Sequence, residues 1–177
     1  MAQQKILAVY ALIVSAMLAI VLLIGASKSL GLSDEISVRR INILEPDGPP
    51  CYCGKNGCIE KFLSGSGLIH AYRESGGDGV TDSRSIVTKA EQGDAVAEAA
   101  MRRFLDRFGH ALSIVVNILD PDIVVLGGGM SNIGRLYTEG TEALARHVFN
   151  DELLTRVVQN RHGDSAGVRG AAWLWPV

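Results

Sequence analysis

The chain contains three cysteines, Cys51, Cys53 and Cys58, which lie close together in the sequence. Because three is an odd number, they cannot all pair within the chain, and a disulfide at Cys-x-Cys spacing would be strained. Three thiolates and one further ligand are instead typical of a tetrahedral zinc site in a reducing compartment. Gly54 and Gly57 let the chain turn tightly between the ligands. We therefore predict a structural zinc site with three cysteine ligands, the alternative being a metal-free loop of reduced thiols.

Three consecutive glycines, Gly127, Gly128 and Gly129, follow the apolar run Ile123 to Leu126 and precede a predicted helix. Without side chains they let the backbone approach a nucleotide, and the N-terminus of a following helix favours anionic or polar groups. A plain strand-to-helix turn is an equally good interpretation of three glycines. Their spacing is not that of the dinucleotide-binding fingerprint.

Other polar residues are interpreted as structural. Asp120 and Asp122 bracket Pro121, and we interpret them as a polar turn rather than as a carboxylate pair for acid–base catalysis. Asp164 is expected to fix a turn rather than to bind a metal. Three histidines without a recognisable partner pattern are expected to be structural or surface residues: His70, His110 and His147.

The charge of the chain bears on its partners. The formal net charge is −2, and charged residues make up 20% of the sequence, with lysines and arginines scattered. A nucleic-acid-binding surface needs a concentrated basic patch, which this pattern lacks. A mildly acidic domain of this kind fits a small-molecule partner better than a polyanion.

The elements that must position these residues follow an α/β pattern. Asp94 to Leu119 is predicted to be the strongest helix, because its apolar positions step by three or four residues and Pro121 ends it. The following further elements are predicted: a short helix over Ile59 to Leu63, a glycine-rich break at 76–79, a buried strand over Ile123 to Leu126, a helix over Ile133 to Phe149, a strand over Thr155 to Val158 and a final helix over Gly167 to Leu174.

The N-terminal part of the chain differs in composition from the rest. Ile6 to Ala26 carries no charge and would form a helix of roughly 31 Å, which matches a hydrocarbon core of about 30 Å. We predict a transmembrane helix that anchors the chain in a membrane. Two alternatives stay open: a cleaved signal peptide, since Gly25-Ala26-Ser27 offers small residues, and a non-native extension.

Positive charges flank this apolar run unequally: Lys5 precedes it, and Lys28, Arg39 and Arg40 follow it. By the positive-inside rule, this asymmetry places the large domain on the cytoplasmic side. The composition divides the chain at residue 42. Residues 1–42 hold the apolar helix and a polar junction, and residues 43–177 form an α/β domain.

The run CYCGKNGCIEKFLSG, from Cys51 to Gly65, resembles the cysteine motif of the repressor–ORF–kinase (ROK) family. VVNILDPDIVVLGGGMSN, from Val115 to Asn132, and HGDSAGVRGAAWL, from His162 to Leu174, resemble later blocks of that family, in the expected order. The stretches PCYCGKNGCIE and GVRGAAWLWP are most similar to bacterial fructokinases and mannokinases.

The resemblance implies an actin-like, RNase H-type fold of two lobes that close over ATP and a sugar, with residues 43–177 as the C-terminal lobe. It also implies that Glu60 accepts hydrogen bonds from sugar hydroxyls, which suits an ionised carboxylate. The alternative is that Glu60 favours the first turn of a helix through the dipole. For Gly127, Gly128 and Gly129 the resemblance implies contact with the adenosine part of ATP. Magnesium would accompany ATP, and a homodimer stays open.

The parent reaction implied by the resemblance is transfer of the ATP γ-phosphoryl group to a hexose, with fructose 6-phosphate as the expected product. Family motifs for this reaction are absent from Met1 to Asn42: the Asp-x-Gly-Gly-Thr phosphate hairpin, the Asn-Asp segment with the catalytic Asp, and the Glu-x-Gly-His segment. Ile41 stands at or near the position of the His that is the family's fourth zinc ligand.

Because these motifs are missing, we expect an incomplete, fructokinase-like chain that is inactive alone. The alternative is a membrane-attached, non-enzymatic module of the same family that binds sugar or nucleotide. A repressor would need an N-terminal winged helix-turn-helix, which the apolar run cannot supply.

Overall fold

The computed structural model describes residues 43–161 and residue 163. In chain order these residues form a 3₁₀ turn (Ile59–Lys61), helices α1 (Gly65–Glu74), α2 (Ser83–Glu91) and α3 (Ala95–Leu119), strand β1 (Ile123–Leu126), two further 3₁₀ turns (Gly129–Asn132 and Gly134–Tyr137), helix α4 (Glu139–His147) and strand β2 (Arg156–Gln159). The following predictions lie outside the described residues: the transmembrane run at 6–26, the junction up to residue 42, the turn at Asp164 and the helix at 167–174. Of the helices that are described, none is long and apolar enough to cross a membrane.

Helix α3 has the bounds predicted from the sequence to within one residue. Asp94 caps its beginning, because the Asp94 carboxylate accepts a hydrogen bond of 2.8 Å from the backbone N–H of Ala97. The helix ends at Leu119, since Asp120 adopts a left-handed conformation with φ of 43° and Pro121 has no backbone N–H to continue the helical hydrogen bonds. The predicted polar turn around Pro121 is confirmed.

Helix α3 forms the centre of the hydrophobic core, and α1, α2 and α4 pack around it. Each of the four helices contributes a large, completely buried side chain: Leu68, Ile86, Met101 and Leu144. Burial of such a side chain contributes roughly 1.5–3 kcal/mol. Gly109 permits the close approach of α4, because a Cβ there would lie 2.5 Å from backbone atoms of Ala143 and Leu144. The core therefore makes α3 the rigid element from which the surrounding loops are positioned.

Strands β1 and β2 are parallel neighbours, in a register that places Leu126 opposite Gln159. The predicted bounds of β1 are confirmed, whereas β2 is shifted by one residue from the predicted Thr155 to Val158. Strand β1 is less buried than expected, because Val124 is its only buried residue and Val125 is 36% exposed. Since the strands are parallel, their carboxyl ends lie at the same edge of the sheet.

The helix predicted from Ile133 to Phe149 is wrong at its beginning. Two 3₁₀ turns follow the glycines, and α4 begins only at Glu139. Side-chain hydrogen bonds to the backbone stabilise these turns: the Ser131 hydroxyl donates to the carbonyl of Gly128, and the Tyr137 hydroxyl donates to the carbonyl of Ser131, both at 2.6 Å. The backbone of Thr138 is non-helical, with φ of −113° and ψ of −88°, so the second turn and α4 do not join into the single helix that apolar periodicity predicted.

Two short helices, α1 and α2, have no counterpart in the sequence-based prediction. Helix α1 begins after Ser64, whose hydroxyl accepts a hydrogen bond of 3.1 Å from the backbone N–H of Gly67. The glycine-rich break predicted at 76–79 lies between the two helices. The short helix predicted over Ile59 to Leu63 is a single 3₁₀ turn.

Candidate functional site

The cysteines lie on a tight loop closed by its own backbone. The N–H of Cys51 donates to the carbonyl of Lys55 at 2.8 Å, and the N–H of Gly54 donates to the carbonyl of Cys51 at 3.0 Å. Gly54 and Gly57 have φ values of 81° and 62°, a region that strongly favours glycine. The tight turns predicted at these two glycines are therefore confirmed.

The loop brings the three thiols together. Their sulfur atoms all lie within 4.8 Å of one another, and the sulfurs of Cys53 and Cys58 are 3.4 Å apart. All three cysteines are free, with Cys51 7% exposed and Cys58 fully buried. A tetrahedral zinc ion with Zn–S bonds of about 2.3 Å separates its sulfurs by roughly 3.8 Å. The donor set and its spacing therefore fit a thiolate-bound zinc ion with little rearrangement.

The thiols differ in acidity. Burial, together with the neighbouring Cys53 and Cys51, raises the pKa of the Cys58 thiol to about 12. Burial would also raise the pKa of Cys53, but hydrogen bonds from the backbone of Lys55 and from the other two thiols outweigh it and lower that pKa. Cys53 therefore ionises more readily than Cys58, and a bound cation would displace the remaining protons.

The described residues supply three ligands. No fourth histidine, cysteine or carboxylate oxygen of residues 43–161 joins the three sulfurs within 4.8 Å. Ile41, which stands near the position of the expected histidine, lies outside the described residues. A tetrahedral ion would therefore need water or a side chain from elsewhere to complete its coordination.

Glu60 lies in the 3₁₀ turn that follows Cys58, and its side chain is exposed. Its carboxylate forms no hydrogen bond or ion pair with a residue in the described part of the chain. Its charge lies near Tyr52, whose pKa is raised by partial burial and then by Glu60. A turn of three residues has only a small dipole, which weakens the helix-dipole interpretation. The carboxylate beside the cysteines is therefore open to a ligand.

The three glycines lie at the carboxyl end of β1, and all three are exposed. Gly128 has a φ of 82°, and a Cβ at Gly128 or Gly129 would meet no atom within 4 Å. The backbone is therefore accessible, as the nucleotide interpretation requires. The expected helix N-terminus is absent from this position, because a four-residue 3₁₀ turn follows and supplies no comparable dipole.

Sequence reasoning missed the residues that hold this glycine loop. Besides the bonds of Ser131 and Tyr137, the side-chain amide of Asn160 donates to the carbonyl of Leu126 at 3.1 Å and to the Ser131 hydroxyl at 3.4 Å. Asn160 directly follows β2, so the carboxyl ends of both strands contribute to the loop. Ligands of open α/β sheets bind at this edge. None of these residues was singled out by the sequence pattern, and a side-chain amide shortly after a predicted strand is the signal that could have found Asn160.

The three histidines make local contacts on the helices, which fits their expected role as structural or surface residues. His70 lies 3.4 Å from the carboxylate of Glu74, and His147 lies 3.2 Å from that of Asp106. The rings of His110 and His147 are stacked with centroids 5.1 Å apart. Hydrogen bonds from His147 and Arg146 lower the pKa of Asp106 against the effect of its burial, which would raise it. The contacts of His147 with Asp106 and His110 link α3 to α4, whereas His70 and Glu74 pair within α1, and all of them lie outside the cysteine cluster.

The sequence and the fold were compared with known proteins, and the comparisons agree on one family. The model of the ROK family matches residues 34–177. The N-acetyl-D-glucosamine kinase of Escherichia coli O1:K1 is 40% identical over 124 residues, which are 70% of this chain and 41% of that protein. A ROK family glucokinase from Streptomyces griseus, solved with glucose and AMPPNP, has a TM-score of 0.67 and 27% identity, covering 76% of this chain and 49% of that one. A ROK hexokinase from Thermus thermophilus has a TM-score of 0.64 and 32% identity, covering 75% and 44%.

The chain thus spans less than half the length of each of these relatives. The similarities support the expected actin-like α/β fold, and the relatives named here are sugar kinases. The family match extends over most of the chain and includes both the cysteine loop and the glycine loop. The chain therefore belongs to the ROK family.

Proposed function

We propose that the described domain is the sugar- and nucleotide-binding lobe of a hexose kinase. The parent reaction transfers the γ-phosphoryl group of ATP to a hexose hydroxyl, with the 6-OH of fructose as the first candidate. The observation that carries the proposal is the Glu60 carboxylate, which forms no hydrogen bond or ion pair among the described residues and follows the last of three clustered thiols by two positions. The relatives named for N-acetyl-D-glucosamine, glucose and hexose support the class of reaction.

Each part of the site has a separate role in this proposal. Glu60 accepts hydrogen bonds from sugar hydroxyls, while Cys51, Cys53 and Cys58 bind zinc, which makes the loop next to Glu60 rigid. Gly127 to Gly129 lie against the nucleotide. Bound zinc would act structurally, by linking three points of the loop through their thiolates.

Phosphoryl transfer also needs a base near the attacking hydroxyl and donors around the phosphates. The family's catalytic Asp and phosphate hairpin are not found in this sequence. We therefore propose that these 177 residues bind their ligands without measurable turnover. A coupled ATP assay with fructose tests this point, and turnover by verified, uncontaminated protein would refute it.

Sugar binding is tested by calorimetry on the full chain in mild detergent, with fructose, mannose, glucose and N-acetylglucosamine. Glu60→Gln removes the charge and should lower the affinity for the tightest-binding sugar at least about tenfold, because hydrogen bonds to charged groups contribute roughly 1.5–3 kcal/mol. Glu91→Gln, an exposed carboxylate on α2, is the matched control and should change nothing. Equal loss in both variants, or no binding of any of the four sugars, would reject the role of Glu60.

The metal site is tested separately. Cys53→Ser should abolish stoichiometric zinc, because two remaining thiolates seldom hold a structural ion. Ile41→His, with Asn42→His as a register control, should tighten binding by supplying an imidazole ligand. Metal content after dialysis against a chelator gives the answer, and zinc retained by Cys53→Ser would show that the cysteine site is misassigned.

A further inference from the structure

We propose that Arg107, on helix α3, is a positioning residue that holds the cysteine loop in its metal-binding conformation. The inference rests on the proposed zinc site and assigns its preorganisation to one side chain outside the loop. Arg107 contacts the chain on both sides of the cysteines, through Glu45 before Cys51 and Phe62 after Cys58.

The first contact is a two-point ion pair. Arg107 Nε donates to Glu45 Oε1 at 2.6 Å, and Nη2 donates to Oε2 at 3.1 Å. The side chain of Arg107 is 20% exposed and that of Glu45 is 40% exposed. A guanidinium that donates to both oxygens fixes the orientation of the carboxylate as well as its position. The pair therefore fixes the segment that leads into the cysteines.

The second contact is made by the same guanidinium. Its central carbon lies 4.3 Å from the centroid of the Phe62 ring, an arrangement typical of a cation–π interaction. Phe62 is buried and forms a small core cluster with Leu44 and Ala111, the latter on α3. This cluster fixes the chain immediately after the last cysteine, so both ends of the loop are anchored to one turn of one helix.

Backbone hydrogen bonds connect Glu45, which Arg107 holds, to the position of the Cys58 ligand. The N–H groups of Leu44 and Glu45 donate to the carbonyl of Gly57 at 2.8 and 3.2 Å. Gly57 directly precedes Cys58, so a displacement of Glu45 would displace that ligand. Since the described residues supply three ligands rather than four, zinc affinity should depend strongly on how well those three are placed.

The test uses the full chain with the Arg107→Met substitution, which keeps much of the aliphatic length and removes the guanidinium. Groups that hold metal ligands in place typically change metal affinity by 10–100-fold. We therefore expect zinc to bind about tenfold more weakly, measured by competition with a chelator. The cobalt form should show a weakened thiolate charge-transfer band. Arg103→Met, an exposed arginine on the same helix, is the matched control and should leave both readouts unchanged.

Glu45→Gln provides an independent variant should Arg107→Met fail to fold by circular dichroism. It should reproduce most of the affinity loss, and the double variant should bind zinc no more weakly than Arg107→Met alone, because Arg107→Met already removes the partner of Glu45. Unchanged zinc affinity in the folded Arg107 or Glu45 variant would overturn the inference while the zinc site stands. Absence of the thiolate–cobalt band in the unsubstituted chain would overturn the zinc site and this inference together.

Discussion

Arg135, in the second 3₁₀ turn after the glycine loop, donates to both carboxylate oxygens of Glu98 on helix α3. The Nη1–Oε2 distance is 2.7 Å and the Nη2–Oε1 distance is 2.9 Å. Arg135 also donates to Glu139 at the beginning of α4, with an Nη2–Oε2 distance of 2.6 Å. The guanidinium therefore ties the segment behind the glycine loop to the central helix.

Helix α3 thus braces both candidate sites. Glu98 holds the glycine-loop side through Arg135, and Arg107 holds the cysteine loop through Glu45. At 1.5 Å per residue, Glu98 and Arg107 are separated by about 13.5 Å along the helix axis. Because α3 is the centre of the core, it provides one rigid support for both loops.

The Glu98–Arg135 pair should make stability depend on pH at the acid end. Hydrogen bonds from Arg135 lower the pKa of Glu98 to about 2, whereas the ordinary value is 4.5. A lowered carboxyl pKa contributes stability that is complete above the ordinary value and is lost as the pH falls towards 2. Glu98→Gln should therefore cost about 2 kcal/mol in unfolding free energy at pH 7 and almost nothing near pH 2.

Urea denaturation followed by circular dichroism at several pH values measures this difference. Glu91→Gln, on α2, serves as the control and should show no comparable pH-dependent difference from the unsubstituted chain. A cost for Glu98→Gln that stays constant from pH 7 to pH 2 would contradict the assignment, because the charge of the pair would then contribute nothing.

Local sequence signals predicted the elements whose determinants are close in the chain. The bounds of α3 followed from its apolar spacing and Pro121, and the cysteine cluster followed from its spacing and two glycines. The arginine contacts could not be predicted, because Arg107 pairs with a residue 62 positions away and Arg135 with one 37 positions away. Such pairs depend on how the helices pack, which no spacing rule contains.

The same distinction explains the errors. The helix expected from Ile133 is replaced at its beginning by the 3₁₀ turn Gly134–Tyr137, and the non-helical backbone of Thr138 separates that turn from α4. The exposed face of β1 at Val125 was expected to be buried, because an apolar run alone does not say how many neighbours a strand has.

A pair of glycine substitutions should separate backbone strain from steric exclusion in the cysteine loop. A Cβ at Gly57 would lie 1.4 Å from the carbonyl oxygen of Glu45, whereas one at Gly54 would meet nothing within 4 Å. Both residues have positive φ, so each alanine substitution should lower the stability of the fold by roughly 1–2 kcal/mol through backbone strain. Gly57→Ala alone must also displace Glu45.

We expect Gly57→Ala to abolish zinc binding and Gly54→Ala to retain it with reduced stability. Chelator competition and thermal unfolding of the two variants, compared with the unsubstituted chain, provide the measurement. Should the two variants lose zinc to the same extent, the close contact with Glu45 would not be what shapes the loop.

The glycine loop offers the last prediction, which concerns Tyr137. Its hydroxyl donates to the carbonyl of Ser131 at 2.6 Å. The pKa of Tyr137 is raised overall, because the effect of partial burial exceeds the opposing effect of that hydrogen bond. Tyr137→Phe removes the hydroxyl and leaves a half-buried carbonyl without this donor, which should cost about 1 kcal/mol in stability. Because the Ser131 hydroxyl bonds to Gly128, loosening Ser131 should also weaken binding of a non-hydrolysable ATP analogue at the proposed nucleotide site.

Tyr52→Phe, an exposed tyrosine in the cysteine loop, is the control and should leave nucleotide binding unchanged. Calorimetric titration of both variants tests this, and equal nucleotide affinity in the two would mean that Tyr137 supports only the fold.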